Sequence, residues 1–342
     1  MKKFTIVTPY YAPAWSYGGP PRVLHSLAKE LVRSGHQVTV ITTDALDERR
    51  NPKRRETIDG VKVVRLANLS NWLAYRLKFF FVFDLANRIE PIINEADVIL
   101  LGDIRSFLNV ALTDYLIRRK KKFGIFAFGQ IPLGRDWRTP VKWLIDRLWI
   151  RRLVTQAAWL FGQTEHERAQ FRRAFGAPAK QTKLLVLPVD LSRRPDSKGW
   201  KKSLGLGKLD QVVLFVGRWH PLKGGEVLIR SLAPLLKRDP HLRLVFVGRD
   251  DGAEQSWRKA VPSELSAQVI FAGALYGEAV YGAYREADVF AFTPTYYEET
   301  TTAGLEALST GTPAVVTKEA AIPYLEAYNA GYVVPNRPSS IR

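Results

Sequence analysis

Residues 293–313 read TPTYYEETTTAGLEALSTGTP and follow a short apolar run, Val289-Phe290-Ala291-Phe292. The run predicts a buried strand, which Pro294 ends. Glu298-Glu299-Thr300-Thr301-Thr302 predicts a polar turn, and Ala303–Leu308 a helix. Gly311 and Pro313 stop that helix before a β-branched strand, Ala314-Val315-Val316. A polar loop between a strand's carboxyl end and a helix's amino end is where open α/β sheets bind ligands. Free backbone N–H groups and the helix dipole favour an anion there. Glu298 in the loop and Glu306 in the helix are eight residues apart. The pair suits two carboxylates that reach two hydroxyls of a polyol beside a phosphate. Two Glu at that spacing also occur by chance in many helices, and the weight comes from the strand, loop, helix and Gly-Thr-Pro stop around them.

Upstream, Phe215-Val216-Gly217-Arg218-Trp219-His220-Pro221-Leu222-Lys223-Gly224 runs a strand into glycine and presents two cations before the next helix. An Arg fork and a Lys point charge at a strand's carboxyl end can neutralise a diphosphate. The bland alternative is a solvated basic loop. Near the amino terminus, Tyr17-Gly18-Gly19-Pro20-Pro21-Arg22 joins a first strand to a first helix. Its paired glycines allow close backbone approach to a ligand or serve a simple turn.

Strand and helix patterns alternate along the whole chain, which argues for parallel sheets with helices on both faces. Expected strands are Phe4–Val7, Val38–Ile41, Val61–Leu66, Val98–Leu101, Gly124–Phe128, Trp159–Phe161 and Leu184–Leu187. After a polar pause at Leu191–Lys202 the alternation resumes with Val212–Val216, Leu242–Val247, Val269–Phe271 and Val289–Phe292. The expected domains are 1–190 and 191–342, and 342 residues with 46% hydrophobic content allow each its own core. No run approaches the length of a bilayer span, and Phe4–Thr8 is too short for a leader because Pro9 and Pro13 follow it. With no Cys, disulfides, zinc–thiolate sites and a thiol nucleophile are excluded, which is compatible with a cytoplasmic location.

Together the two runs resemble the family 4 glycosyltransferases, retaining enzymes with an E-x7-E signature. Glu298 and Glu306 stand in its two positions, Ala307 and Gly311–Val316 match beyond them, and Gly217-Arg218 with Lys223-Gly224 resembles the family's basic loop. The resemblance implies a GT-B α/β fold: two Rossmann-like doubly wound domains facing across a cleft, the first binding acceptor and the second the nucleotide sugar. The donor is a nucleotide-diphosphate sugar, with no separate cofactor and no metal. By the same resemblance Arg218 and Lys223 hold the diphosphate behind Gly217, Glu306 the ribose, and Glu298 a hydroxyl of the transferred sugar. Arg218, Lys223 and Glu298 are then the catalytic group. Amides of Thr300, Thr301 and Thr302 help with the phosphates, Gly273 and Leu275 lie near the base, and Gly18 and Gly19 near the diphosphate. Attack occurs on one face of the sugar, and the leaving diphosphate accepts the acceptor's proton.

Some features depart from the family or stand outside it. Many relatives carry a His in a Pro-His-Gly setting, where this chain has Ala127-Phe128-Gly129-Gln130 with Phe128 in the His position. Gln130 and Arg135 are the candidates to contact sugar or acceptor instead. Relatives continue past the segment matching Gly331–Pro335, and this chain stops at Arg342, as a fragment or a shortened member would. Asp250-Asp251 reads as a solvated turn rather than a metal site. A GT-B epimerase or phosphorylase, or a sugar-nucleotide-binding protein without turnover, are the alternative functions.

The net charge is +18, and its distribution is uneven: 32 Lys and Arg against 17 Asp and Glu through Asp190, then 19 against 16. A first half that basic attracts an anionic surface. Residues 72–83 and the stretch from Trp137 to Trp159 mix aromatics with cations, Arg147, Arg151 and Arg152 lying among Trp143, Leu144, Leu148 and Trp149. Such mixtures suit a headgroup interface, though core packing is expected to claim about half of the aromatics. The expected partners are a nucleotide-sugar donor, a glycan or lipid-linked acceptor of the cell envelope and an anionic membrane at its inner face. No nucleic-acid motif occurs.

Overall fold

The computed structural model describes residues 1–342 except 84, 134–138, 190–198, 276, 321, 323 and 342, and only the backbone of residue 86. Arg135, Trp137 and most of the expected linker therefore lie outside the described residues. The chain divides into two compact units, Met1–Pro188 and Val189–Arg342.

In the first unit the strands are β1 (Lys3–Val7), β2 (Gln37–Thr43), β3 (Arg55–Ile58), β4 (Val61–Leu66), β5 (Val98–Gly102), β6 (Phe123–Phe126), β7 (Trp159–Gly162) and β8 (Thr182–Leu184). Between them run α1 (Gly19–Arg33), α2 (Asn71–Leu77), α3 (Leu85–Glu95), α4 (Phe107–Arg118), α5 (Thr139–Ile145), α6 (Arg151–Gln156) and α7 (Glu165–Phe175). The sheet order is β3-β4-β2-β1-β5-β6-β7-β8, parallel except where β3 pairs antiparallel with β4. Central strands such as Val-Ile-Leu-Leu-Gly in β5 are apolar on both faces, because helices cover both sides of a parallel sheet. The order reverses between β1 and β5, so the loops after those strands diverge at a crevice.

Two expected strands shift. The expected strand 124–128 is β6, which stops at Phe126; Phe128 (φ 51°) and Gly129 (φ 75°) then turn through the left-handed region, which ends pairing. The expected strand 184–187 is displaced to β8, where Thr182–Leu184 pairs with Leu160–Gly162 of β7. A further strand, β3, was not expected. Asp59 (φ 49°) and Gly60 (φ 80°) close it on β4 as a two-residue hairpin turn, a conformation for which Asp-Gly is the favoured dipeptide.

In the second unit the strands are β9 (Gln211–Val216), β10 (Leu242–Val247), β11 (Val269–Gly273), β12 (Val289–Phe292), β13 (Ala314–Thr317) and β14 (Gly331–Val334). The helices are α8 (Trp200–Ser203), α9 (Gly225–Arg238), α10 (Glu254–Ala260), α11 (Glu278–Glu286), α12 (Thr302–Ser309) and α13 (Pro338–Ile341). All pairings are parallel and the order is β11-β10-β9-β12-β13-β14. Numbered within the unit this is 3-2-1-4-5-6, the doubly wound order of dinucleotide-binding sheets, with its reversal between β9 and β12. The core under that point holds Phe215, Phe246, Phe292 and Trp257, with Phe215–Phe292 and Phe215–Trp257 ring centroids 5.3 and 5.5 Å apart. Among the described residues no helix is long and apolar enough to cross a membrane.

Candidate functional site

The two loops singled out in the sequence leave the carboxyl ends of β9 and β12, the adjacent strands between which the order reverses. They are bonded to each other. Thr293 donates its hydroxyl to the Gly224 carbonyl at 2.9 Å, and the Thr295 amide donates to the Leu222 carbonyl at 2.9 Å. Gly224 sits at φ 76°, and a β-carbon there would lie 1.6 Å from the Thr293 carbonyl oxygen. Both the dihedral and the space require glycine. The next residue, Gly225, begins α9 with its Cα face against the Trp257 ring, where a β-carbon would come within 2.5 Å.

On this frame Lys223 and Glu298 form an ion pair, and both side chains are largely buried. Tyr296 joins them, accepting from the Lys223 ammonium at 3.1 Å and donating to the Glu298 carboxylate at 2.6 Å. The Thr301 hydroxyl lies 3.4 Å from the other carboxylate oxygen and 3.0 Å from the Ala320 carbonyl, to which it donates. Lys223 also stands 5.7 Å from the Phe292 ring centroid and 5.4 Å from that of Tyr296. Burial, and next the Arg218 guanidinium, pull its pKa down to about 7, and Asp251 pulls the other way. The contacting Glu298 carboxylate favours the charged form more directly than any of these, so Lys223 in this pair is an ammonium. Burial raises the Tyr296 hydroxyl above its ordinary range, keeping it a donor, against a smaller opposite pull from Arg218.

Arg218 is half-exposed and paired with Asp251. The neighbouring Asp250 accepts from the amides of Gly252, Ala253 and Glu254 and so caps α10. Its pKa lies below the usual carboxylate range because those amides hold the charged form, that of Glu254 most. His220 caps the turn at Pro221–Lys223, its Nδ1 accepting from the Leu222 amide at 3.2 Å. Gly217 donates to the Val247 carbonyl, and its own carbonyl oxygen would be 1.8 Å from a β-carbon on Gly248.

Helix α12 begins at Thr302 with Thr301 as N-cap, so Thr302, Ala303 and Gly304 carry the amides that have no partner within the helix. Of the expected amides, Thr302 is one of these, while Thr300 and Thr301 precede the helix. Glu306 lies at the fifth position of α12, where the buried Tyr284 hydroxyl donates to its carboxylate at 3.0 Å. Gly273 (φ 77°) ends β11 and accepts from Gly248 at 2.8 Å, and a β-carbon on it would meet nothing within 4 Å. Leu275 packs partly buried against the core of the same unit. The structure thus brings Lys223, Glu298 and Thr301 into one bonded cluster, to which it adds Tyr296. An aromatic in a loop has no period, and nothing in the sequence marked Tyr296 beyond its place two residues before Glu298.

In the first unit Gly18 (φ 93°, ψ −139°) is the N-cap of α1, and Gly19 is that helix's first residue. They follow β1, one of the strands at that sheet's reversal. Three loops of the same edge, those after β1, β5 and β6, meet at Asp103, which sits at φ 72°. The Tyr10 hydroxyl donates to its carboxylate at 3.0 Å and the Gln130 side chain also bonds it. Burial is the main cause that raises the Asp103 carboxyl above its usual range. Phe128, read from the sequence as standing at the family's His position, stacks on Phe126 with centroids 5.5 Å apart.

A family profile described as "Glycosyl transferase 4-like domain" matches residues 18–189, and one described as "Glycosyl transferases group 1" matches residues 210–341. A D-inositol 3-phosphate glycosyltransferase of Nocardia farcinica is 32% identical over 172 residues, a match spanning 48% of this chain and 38% of that protein. An uncharacterized glycosyltransferase of Methanocaldococcus jannaschii is 24% identical over 96% of this chain and 85% of its own length. Among solved structures, sucrose-phosphate synthase from Thermosynechococcus elongatus (TM-score 0.69, 17% identity) and Anabaena HepE in complex with UDP (0.69, 18%) each align over 98% of this chain and 86% of theirs. That likeness shows the two-domain GT-B fold. On the two profiles, which between them span nearly all of both units, the chain belongs to glycosyltransferase family 4.

Proposed function

We propose that the protein transfers a sugar, with retention, from a nucleotide-diphosphate sugar to a glycan or lipid-linked acceptor of the cell envelope. The observation that carries this reading is the bonded pair of loops at the β9–β12 reversal, where an ammonium, a carboxylate and a helix start share one surface. Lys223, Arg218 and the first amides of α12 neutralise charge that grows on the departing diphosphate. Gly217 lets the loop approach it. As the sugar C1–O bond breaks, the acceptor oxygen bonds C1 from the same face and its proton passes to the leaving phosphate oxygen. Glu298 orients a hydroxyl of the transferred sugar, and Glu306, steadied by Tyr284, holds the ribose. Gly273 and Leu275 flank the base, Thr300, Thr301 and Thr302 the phosphates, and Gly18 and Gly19 are assigned to the donor on family resemblance.

The charge of the diphosphate is met by side-chain cations, so the reading calls for no metal and no further cofactor. The donor class is supported by Anabaena HepE, whose structures contain UDP and UDP-glucose. In this reading the first unit binds the acceptor at the inner face of the membrane. Phe128 in place of His favours one second reading, a protein that binds a sugar nucleotide without turning it over. Release of UDP or GDP from a panel of nucleotide sugars separates the two. Glu306→Ala and Arg218→Ala are expected to abolish donor binding in either case, and undiminished binding by both would overturn the site.

A further inference from the structure

The exposed Trp and Phe side chains are not scattered, although exposed Leu and Tyr also occur elsewhere, such as Leu209 and Tyr328. Among the described residues every exposed Trp and Phe lies in one of two segments of the first unit, 69–83 and 141–149. Trp72, Phe79 and Phe83 are 56, 46 and 61% exposed in the first, and Trp143, Leu148 and Trp149 are 53, 51 and 39% exposed in the second. The segments are far apart in sequence but are moored to the same short turn after β5. Phe81 packs on Phe107, the first residue of α4, with centroids 4.5 Å apart. Arg105 grips Asp146 through two bonds of 2.7 and 2.6 Å. Asp146 opens a π-helical turn, Asp146–Ile150, inserted between α5 and α6. Such an insertion changes which side chains a helix turns outward, and it is common at functional sites.

The charge within these segments is mostly positive, although Arg76 pairs with Glu48 and Arg152 with Asp114. Residues 69–83 contain Arg76 and Lys78 and no carboxylate, while residues 139–152 contain Lys142, Arg147, Arg151 and Arg152 against the single Asp146. The Arg147 guanidinium lies 5.7 Å from the Trp143 ring centroid, and the Lys78 ammonium 4.6 Å from that of Tyr17. Aromatics that reach headgroup depth beside cations that meet phosphates are what an anionic bilayer interface accommodates. A protein partner's interface would more often exclude lysine. From this we infer that residues 69–83 and 141–149 form a two-part docking surface for an anionic lipid bilayer. The turn at Arg105–Phe107 holds the two parts together. That turn begins two residues after Asp103, so docking brings the polar Tyr10–Asp103–Gln130 cluster near the headgroups. The inference rests on the surface itself and not on the proposed donor chemistry.

The test is flotation with phosphatidylcholine vesicles, with and without phosphatidylglycerol, in the absence of donor. The full chain is expected to float with the anionic vesicles alone and to detach as salt rises. Bound protein is expected to show quenching of its tryptophan fluorescence by brominated lipid. Trp72→Ser with Phe79→Ser and Phe83→Ser, and separately Trp143→Ser with Leu148→Ser and Trp149→Ser, should each weaken recovery at least tenfold. Release of UDP from donor in solution should be unchanged in both, so failure of docking and failure of the enzyme reading are read apart. Arg147→Glu with Lys142→Glu, which leaves the aromatics in place, should weaken recovery by more than about fivefold per charge. Equal recovery on neutral vesicles, no recovery, or anionic binding that both serine triples retain would overturn the inference. So would sedimentation that shows self-association lost in the triples.

Discussion

Glu298→Gln isolates the electrostatics of the proposed donor loop. In the parent, the Glu298 carboxylate touches the Lys223 ammonium and stabilises its charge. Without that carboxylate the remaining influences are burial and Arg218, both of which disfavour the charge, and Asp251, which favours it, so Lys223 loses its charge at a lower pH in the variant than in the parent. The sign follows from what the ligand needs. A lysine with a lowered pKa is charged below that value and neutral above it, so a diphosphate loses its cation as pH rises, and at a lower pH in the variant than in the parent. Each further pH unit removes about tenfold of the charged fraction. UDP affinity of Glu298→Gln is therefore expected to begin its fall, about tenfold per unit, at a lower pH than that of the parent. At a pH low enough for Lys223 to be charged in both proteins the variant should bind at least as well as the parent, because the competing carboxylate is gone. Titration calorimetry with UDP measures both profiles, and circular dichroism confirms that each protein is folded across the range. Parallel profiles for parent and variant would refute the reasoning, since Lys223 would then not be the group that meets the diphosphate.

Two further outcomes concern the frame. Gly224→Ala places a β-carbon on the Thr293 carbonyl, whereas Gly311→Ala at φ 87° meets open space and carries only the left-handed backbone strain of about 1–2 kcal/mol. For a unit of this size that strain lowers the melting temperature by about 2–8 °C. Gly224→Ala should fall clearly further in differential scanning calorimetry and lose UDP binding, and equal melting would sink the claim that the two loops are pinned. Asp103 has a raised pKa in the folded state, so the stability that its protonated form contributes is full below its unfolded value and is lost as pH rises. Asp103→Asn is then expected to be neutral or stabilising at pH 7 relative to the parent, with the advantage fading as pH falls toward 4. Urea midpoints at the two pH values check this, and a variant weaker at neutral pH than in acid would contradict it.

The parallel, helix-covered sheets were legible because their strands are apolar on both faces and end in glycine or proline, while the doubly wound fold was implied by the family resemblance alone. Alternation alone placed β1, β9, β10 and β12 to within about two residues, which is ordinary for strand boundaries. The hairpin of β3 carried its own mark, Asp59-Gly60, but the polar residues around it hide an edge strand with little apolar content. At β6 the apolar run outlasts the strand, since hydrophobicity says nothing of the left-handed turn at Phe128. Lys223 and Glu298 each stood out in its own loop. Their contact did not, because 75 residues separate them and only the reversal of strand order makes them neighbours. Asp103 and Tyr10 escaped for the same reason: each is unremarkable until three loops converge.

Strand β9 is joined to β10 along six residues, yet to β12 only through Val289–Val213 and Phe290–Leu214. The second unit is thus two three-stranded halves sewn by the briefest ladder in its sheet, directly beneath the loops after β9 and β12. A nucleotide held there would work as a clasp across that seam, adding to the thermal resistance of residues 189–342 by mass action.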